Sequence, residues 1–170
     1  MYDPFAGGML ADSPHQGFSL GHHTDKSLYE VLGEHPERGQ RFANAMEGFA
    51  GRTSVETLAQ GFDWASVSTV IDVGGGWGAV SIDLAQRFPH LTFTVQDLEH
   101  VVAKSPDLEK DGLSQRVKFV KHDFFSQQDM EADVYYFRYI FHNLPDESCV
   151  KLLRAQVPGK GVKQPRKIMS

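Results

Sequence analysis

Cysteine is almost missing from this chain, with Cys149 the single thiol in 170 residues. One thiol excludes an intramolecular disulfide and a cysteine-rich metal site, and it suits a reducing compartment, so the expected location is cytoplasmic. Long apolar runs are missing as well. No stretch approaches the roughly 18 apolar residues that span a bilayer, and the opening MYDPFAGGML lacks a basic region followed by an apolar one. Neither secretion nor membrane insertion is expected. Positive charge is not in excess either: 17 Lys and Arg stand against 22 Asp and Glu, a formal net charge of -5. That balance offers no general attraction to nucleic acid or anionic lipid, which leaves a small molecule as the expected partner. His15, His22, His23 and His35 lack the acid or cysteine partners of a metal site, and no metal is expected. What is present is 41% hydrophobic residues and 23% charged ones, the balance of a folded domain with a core.

Read along the chain, residues 1–60 form a helical lead-in. Met1 to about Gly21 mixes Gly, Pro, His and Ser without periodicity and is expected to be irregular. Ser27 with Glu30 matches a capping box for a helix carrying Leu28, Val31 and Leu32, which Gly33 should stop. A second helix is expected from Pro36, with Phe42, Ala45, Met46 and Phe49 on one face, and a third over Thr53 to Gln60. Residues 61–157 then alternate strands and helices. Val70, Ile71 and Val73 form a strand ended by three glycines, with a helix from Ala79 to Phe88. Leu91 to Val95 reads as a second strand ending at Asp97, followed by a short helix from Leu98 to Ala103. Val117 to Val120 and Asp133 to Phe137 are the third and fourth strands, and Asp146 to Gln156 is a helix with Cys149 among its buried positions. Such alternation predicts an α/β fold with a parallel sheet and ligand sites at the strands' carboxyl ends. The tail, residues 158–170, lacks alternation and is expected to be irregular, leaving strand four with an open edge.

Gly74, Gly76 and Gly78 spell GxGxG directly after an apolar strand, and Asp97 ends the next strand 19 residues past Gly78. Glycines let a ligand approach the backbone, and a carboxylate at that spacing can accept hydrogen bonds from ribose hydroxyls. The loop alone is ambiguous, because Gly74, Gly76 and Ala79 also satisfy the dinucleotide fingerprint of a nicotinamide-dependent oxidoreductase, and a tight turn without any ligand has the same composition. Asp72 stands where an acid could meet a ligand ammonium, Asp123 and Phe124 offer an acceptor and an aromatic face for a base, and His142 follows the fourth strand in FRYIFHNLPDE.

Taken in order, TDKSLYEVL, PERGQRFANAM, VIDVGGGWGAVSIDLAQRFP, TVQDLEHVV, VKHDFF and FRYIFHNLPDESCVKLLR resemble the S-adenosylmethionine-dependent O-methyltransferases of the plant caffeate and fungal secondary-metabolite type, from about Phe18 to Leu153. The resemblance implies a class I methyltransferase fold: a Rossmann-like parallel sheet, incomplete at its C-terminal side, preceded by a small helical segment. It implies S-adenosyl-L-methionine as cofactor, with Gly74, Gly75 and Gly76 at its methionine end, Asp97 at its ribose, Asp123 and Phe124 flanking its adenine, and Arg138 nearby. It also implies His142 as the general base toward a phenolic or polyketide-type hydroxyl. Phe42, Met46 and Phe49 are expected in the core, in a region that helps line the substrate pocket in the family. Departures from the family pattern are specific. His142-Asn143-Leu144 stands where the family has His-Asp-Trp, and the N-terminal dimerisation domain and later strands of the family have no counterpart. The expectation is therefore a chain cut at both ends, whose homodimer is weakened. A catalytically inactive fragment that binds cofactor or a partner is the alternative.

Overall fold

Val70, Ile71 and Val73 stand at the middle of a sheet, as an apolar run covered on both faces should. In the computed structural model, which describes residues 17–26, 28–50, 55–156 and 167–169, β1 (Thr69–Val73) lies between β2 (Thr92–Asp97) and β4 (Val134–Phe137). β3 (Val117–Lys121) flanks β2, and β5 (Lys167–Met169) flanks β4. Every pairing is parallel. Parallel neighbours need crossovers, and α5 (Ala79–Arg87) and α6 (Glu99–Val102) supply those after β1 and β2, while α7 (Asp146–Ala155) follows β4. The chain progresses outward from β1 in one direction to β3 and in the other to β5. The reversal opens a crevice at the carboxyl ends of β1 and β4, where sheets of this kind bind ligands.

Register sorts the side chains by face. Val70 aligns with Val134 and Phe93, and these pack with Trp64, Leu84, Val95, Val117 and Tyr136 into one core layer. Ile71 aligns with Tyr135 and Val73 with Phe137, and these pack on the other face with Leu152 of α7, Phe124 and Phe125. The two-residue period of a strand thus divides VIDV and VYYF between both layers. The four side chains of β4 are at most 5% exposed, each burial worth roughly 1.5–3 kcal/mol. Tyr135 retains a partner for its hydroxyl, which donates to the Met130 carbonyl at 2.7 Å.

Ahead of the sheet stand α1 (Gly17–Gly21), α2 (Leu28–Glu34), α3 (Pro36–Ala50) and α4 (Val55–Gly61). Arg87 at the end of α5 pairs with Asp83 at 2.8 Å and with Glu56 of α4, tying the last of these helices to the sheet.

Several expectations are corrected. Gly17–Gly21 is a helical turn rather than irregular chain, held by Ser19 Oγ donating to the Lys26 carbonyl at 3.0 Å. Gly33 lies inside α2, which runs to Glu34, because an isolated glycine weakens a helix without ending it. The capping serine, Ser27, and Thr53 fall outside the described residues. Met46 is 41% exposed, since no described element covers that side of α3, and the Phe49 side chain is outside the described set. Cys149 is half-buried, its thiol directed at the Phe141 and Leu144 carbonyls. The largest correction concerns the tail: Lys167–Met169 pairs with β4 in register from Val134 to Tyr136. The edge expected to stand open is covered, because backbone hydrogen bonding alone suffices to add a parallel strand to a strand as well formed as β4.

Candidate cofactor and catalytic site

The glycine loop is anchored by one carboxylate and one carbonyl. The amides of Gly74 and Gly75 both donate to the Gln96 carbonyl, at 2.8 and 3.2 Å, which ties the loop to the end of β2. Gly76 N–H donates to Asp97 Oδ2 at 2.8 Å, and Leu98 N–H to Asp97 Oδ1 at 2.7 Å. Asp97 is held by backbone on both oxygens and keeps a further lone pair on each. Burial raises its pKa above the usual carboxylate value, opposed by the two amide donors and by His100. Asp72 was expected to meet a ligand ammonium. It lies beneath the loop instead, 3% exposed, accepting a 2.6 Å hydrogen bond from Ser81 Oγ. A Cβ placed on Gly75 would stand 2.5 Å from its Cγ. Glycine at position 75 is thus demanded by the acid below it. Burial pushes the Asp72 carboxyl up to about 6; the Ser81 hydrogen bond and the Arg138 charge oppose that, and Asp97 adds to it.

Position 76 is different. Its φ of +60° is the conformation glycine adopts freely, and nothing lies within 4 Å of an added Cβ. Open space above the loop, flanked by a carboxylate with spare acceptor capacity, fits a polar ligand carrying a diol, and so fits the nucleoside end of the implied cofactor.

The segment after β4 folds onto the same loop. An added Cβ on Gly74 would meet Ile140 Cδ1 at 2.6 Å and Phe124 Cδ1 at 3.8 Å, which brings both the β3 end and the β4 end against position 74. Phe124 stacks edge-on with Phe125, ring centroids 4.8 Å apart. Asp123 is exposed; its Oδ1 accepts the Phe125 N–H at 2.9 Å and its carbonyl the Ser126 N–H at 2.8 Å, so it shapes the turn that presents Phe124. Arg138 stacks over the Tyr139 ring at 4.8 Å, and the Tyr139 ring meets His142 edge-on at 5.8 Å. Tyr139 occupies a left-handed conformation, φ +55°, and the Asn143 side-chain amide donates to its carbonyl at 2.9 Å. The His142 side chain is exposed, in a single 3-10 turn over Phe141–Asn143. Gly74 to Gly76, Asp97 and Phe124 are therefore brought together directly, while Arg138 and His142 join them through Ile140 and Tyr139.

Sequence reasoning missed five residues around this site. Tyr29 of α2 lies within electrostatic reach of Asp97, whose charge adds to partial burial in raising the phenol. His122, whose N–H donates to the Asp97 carbonyl at 2.9 Å, has a buried Nε2 without a hydrogen-bond partner. Gln96, Gln128 and Gln156 form a buried amide chain. Among the described residues no group of three His, Cys, Asp or Glu could hold a metal ion, and no helix is long and apolar enough to cross a membrane.

A parallel sheet that reverses at its first strand, with a glycine loop bonded to the acid ending the second, defines a doubly wound domain built for a nucleoside-bearing ligand. Comparison with known proteins makes the class particular: residues 11–160 match the model of the O-methyltransferase domain, and the chain belongs to that family. It is 49% identical over 152 residues to the grayanic acid biosynthesis cluster O-methyltransferase of Cladonia grayi, covering 84% of this chain and 33% of that protein. With an O-methyltransferase of Byssochlamys spectabilis the identity is 37% over 162 residues, covering 89% and 37%. The chain thus spans about a third of the length of the curated relatives it matches. Among solved structures, the O-methyltransferase of neocarzinostatin biosynthesis, bound to S-adenosylmethionine and 2-hydroxy-5-methyl naphthoic acid, superposes with a TM-score of 0.77 at 27% identity, over 85% of this chain and 44% of that one. The mitomycin 7-O-methyltransferase gives 0.74 at 26% identity, over 84% and 42%.

Proposed function

We infer that the chain carries the cofactor-binding and base-bearing part of an S-adenosylmethionine-dependent O-methyltransferase acting on a phenolic or polyketide-type hydroxyl in secondary metabolism. The observation that carries this reading is the glycine loop fastened to Asp97 with the His142 turn folded onto Gly74 through Ile140. The bound cofactor supplies an electrophilic methyl on a sulfonium, whose leaving group is a neutral thioether and needs no acid. Asp97 accepts the two ribose hydroxyls on its spare lone pairs. Phe124 covers one face of the adenine and Asp123 lies at its edge, while Gly74 to Gly76 admit the methionine end and Arg138 stands nearby. His142 takes the proton of the acceptor hydroxyl as that oxygen attacks. A phenol titrates near ~10 and an imidazole near ~6.5, so the transfer is concerted with attack, and such a base contributes about 10²- to 10⁴-fold. The other part of the rate comes from holding oxygen, methyl carbon and sulfur in line and dry.

Residues 61–157 make the cofactor domain in this reading, and residues 1–60 belong to the substrate and dimerisation region. A second reading, a module that binds cofactor without turnover, draws on one observation: the side chain beside the base is the amide Asn143, bonded to the Tyr139 carbonyl rather than to the imidazole. Radiolabelled methyl transfer to a panel of phenols and naphthols, alongside calorimetry with S-adenosylhomocysteine, decides between them. Binding with transfer supports the first reading, binding without transfer the second, and absence of binding removes both.

A further inference from the structure

Three glutamines with no obvious part in the chemistry are each 1% exposed: Gln96, Gln128 and Gln156. Their amides form a continuous chain. Gln96 Nε2 donates to Gln128 Oε1 at 3.1 Å, and Gln128 Nε2 donates back to Gln96 Oε1 at 2.8 Å. Gln128 Nε2 also donates to Gln156 Oε1 at 3.2 Å, and Gln156 Nε2 donates to the Phe124 carbonyl at 2.8 Å. Gln128 Oε1 takes the Met130 N–H at 3.2 Å. Amides, which donate and accept at once, can close such a chain in a dry interior. A buried network of this kind fixes geometry, and three apolar side chains of similar volume would fill the space without that directionality.

Both ends of the chain reach the site. Gln96 directly precedes Asp97, and its carbonyl receives the Gly74 and Gly75 amides. At the other end Gln156 holds the Phe124 carbonyl, four residues before Gln128, whose own N–H is pinned to the Ala155 carbonyl at 2.8 Å at the end of α7. We propose that Gln96, Gln128 and Gln156 are positioning residues that set the distance between the ribose acceptor Asp97 and the adenine-flanking Phe124, with α7 as the fixed backing. The proposal rests on the cofactor reading above. It explains why polar side chains occupy places that the sheet and α7 otherwise fill with apolar ones.

The test replaces Gln128 by Met, which keeps the volume and removes the hydrogen bonds. It compares the wild type, Gln128→Met, Gln156→Leu and the exposed neighbour Gln127→Ala. Two quantities are measured on the whole chain: affinity for S-adenosylhomocysteine and for adenosine by calorimetry, and amide hydrogen exchange without ligand. Gln128→Met is expected to weaken both ligands about tenfold and by the same factor, because the loss lies at the adenosine end they share. Exchange should accelerate at Gly74, Gly75 and Phe125 while the β1 amides keep their protection. Gln156→Leu, which leaves the reciprocal Gln96–Gln128 pair intact, should accelerate exchange at Phe125 alone and still weaken adenosine. Gln127→Ala should behave as wild type. Unchanged affinity and unchanged exchange in both glutamine variants would overturn the proposal, as would uniform loss of protection across the sheet, the mark of a merely structural role. A wild type that binds neither ligand overturns the cofactor reading and this proposal with it, whereas a binding wild type with unaltered variants overturns the proposal alone.

Discussion

Replacing Gly75 by alanine tests the packing of the site more sharply than replacing either neighbouring glycine. A methyl at position 75 would stand 2.5 Å from Asp72 Cγ and 2.7 to 2.8 Å from its two oxygens, where carbon contacts ordinarily begin near ~3.5 Å. About 1 Å must be found in a place with little freedom. Asp72 is a β1 residue paired to β2 and β4, its side chain buried and held by Ser81 at 2.6 Å. If the loop rises, its amides leave the Gln96 carbonyl; if the carboxylate swings away, it loses the Ser81 hydrogen bond. Overpacking costs about 1–3 kcal/mol and a hydrogen bond to a charged group about 1.5–3 kcal/mol, so Gly75→Ala should destabilise by roughly 2–4 kcal/mol. Gly76→Ala meets open space and bears only its left-handed φ of +60°, about 1–2 kcal/mol.

The decisive measurement is a double-mutant cycle by urea denaturation. Asp72→Ala removes the atoms that the methyl would strike, so Gly75→Ala should cost at least 1 kcal/mol less in that background, by the usual size of coupling between residues in contact. Strict additivity, or a Gly76→Ala variant as damaged as Gly75→Ala, would refute the argument that the acid beneath the loop dictates glycine at position 75.

Further expectations follow from the same geometry. Asp72 has its carboxyl raised by burial to about 6 from 3.8; the folded state therefore holds the proton more tightly than the unfolded one, and this contribution to stability is present at low pH and is lost as pH rises through that interval. Wild type should lose roughly 2 kcal/mol relative to Asp72→Asn between about pH 4 and pH 7, measured by urea melts, and a difference that stays constant with pH would sink the assignment. Asp97→Ala should weaken S-adenosylhomocysteine at least tenfold in calorimetry, since each charge-assisted hydroxyl bond is worth about 1.5–3 kcal/mol; equal binding by variant and wild type would remove Asp97 from the ribose. His142→Ala should lower methyl transfer by about 10²- to 10⁴-fold and leave cofactor affinity nearly intact, and wild-type turnover in that variant would end the general-base assignment.

The central strands and the glycine loop were legible because their signals are local. Apolar runs such as VIDV and VYYF ended by glycine or an acid state both the strand and its terminus, and the interval from the loop to Asp97 follows from one crossover helix. The covering of β4 was illegible because three residues, Lys167–Met169, carry too little pattern to declare a strand, and the partner that makes them one lies about 30 residues earlier in the chain. GFSLG, with a glycine at each end, likewise lacks the period of a helix, and its one turn depends on a tertiary hydrogen bond from Ser19.

The glutamine chain failed to show for a different reason. Glutamine in a single sequence reads as surface, and only its position can betray burial. Thr94 and Gln96 fall on the strand face that Ile71 and Val73 share, by the register of β1 with β2, so a polar residue stood where the period of two requires an inward side chain. That conflict between pattern and chemistry was the available signal. Asp72 posed the same conflict one strand away, an acid inside an apolar run. Asp72 stands just before the loop on β1, and Gln96 on β2 holds it through its carbonyl. Polar groups in these places lower the stability of the sheet compared with apolar ones, and each is satisfied by a named partner, Ser81 for the acid and Gln128 for the amide. Folding alone gives no reason for either. A requirement to hold the loop, Asp97 and Phe124 in one fixed relation does, which is why the mismatches of pattern within the strands mark the site more specifically than the glycines that announce it.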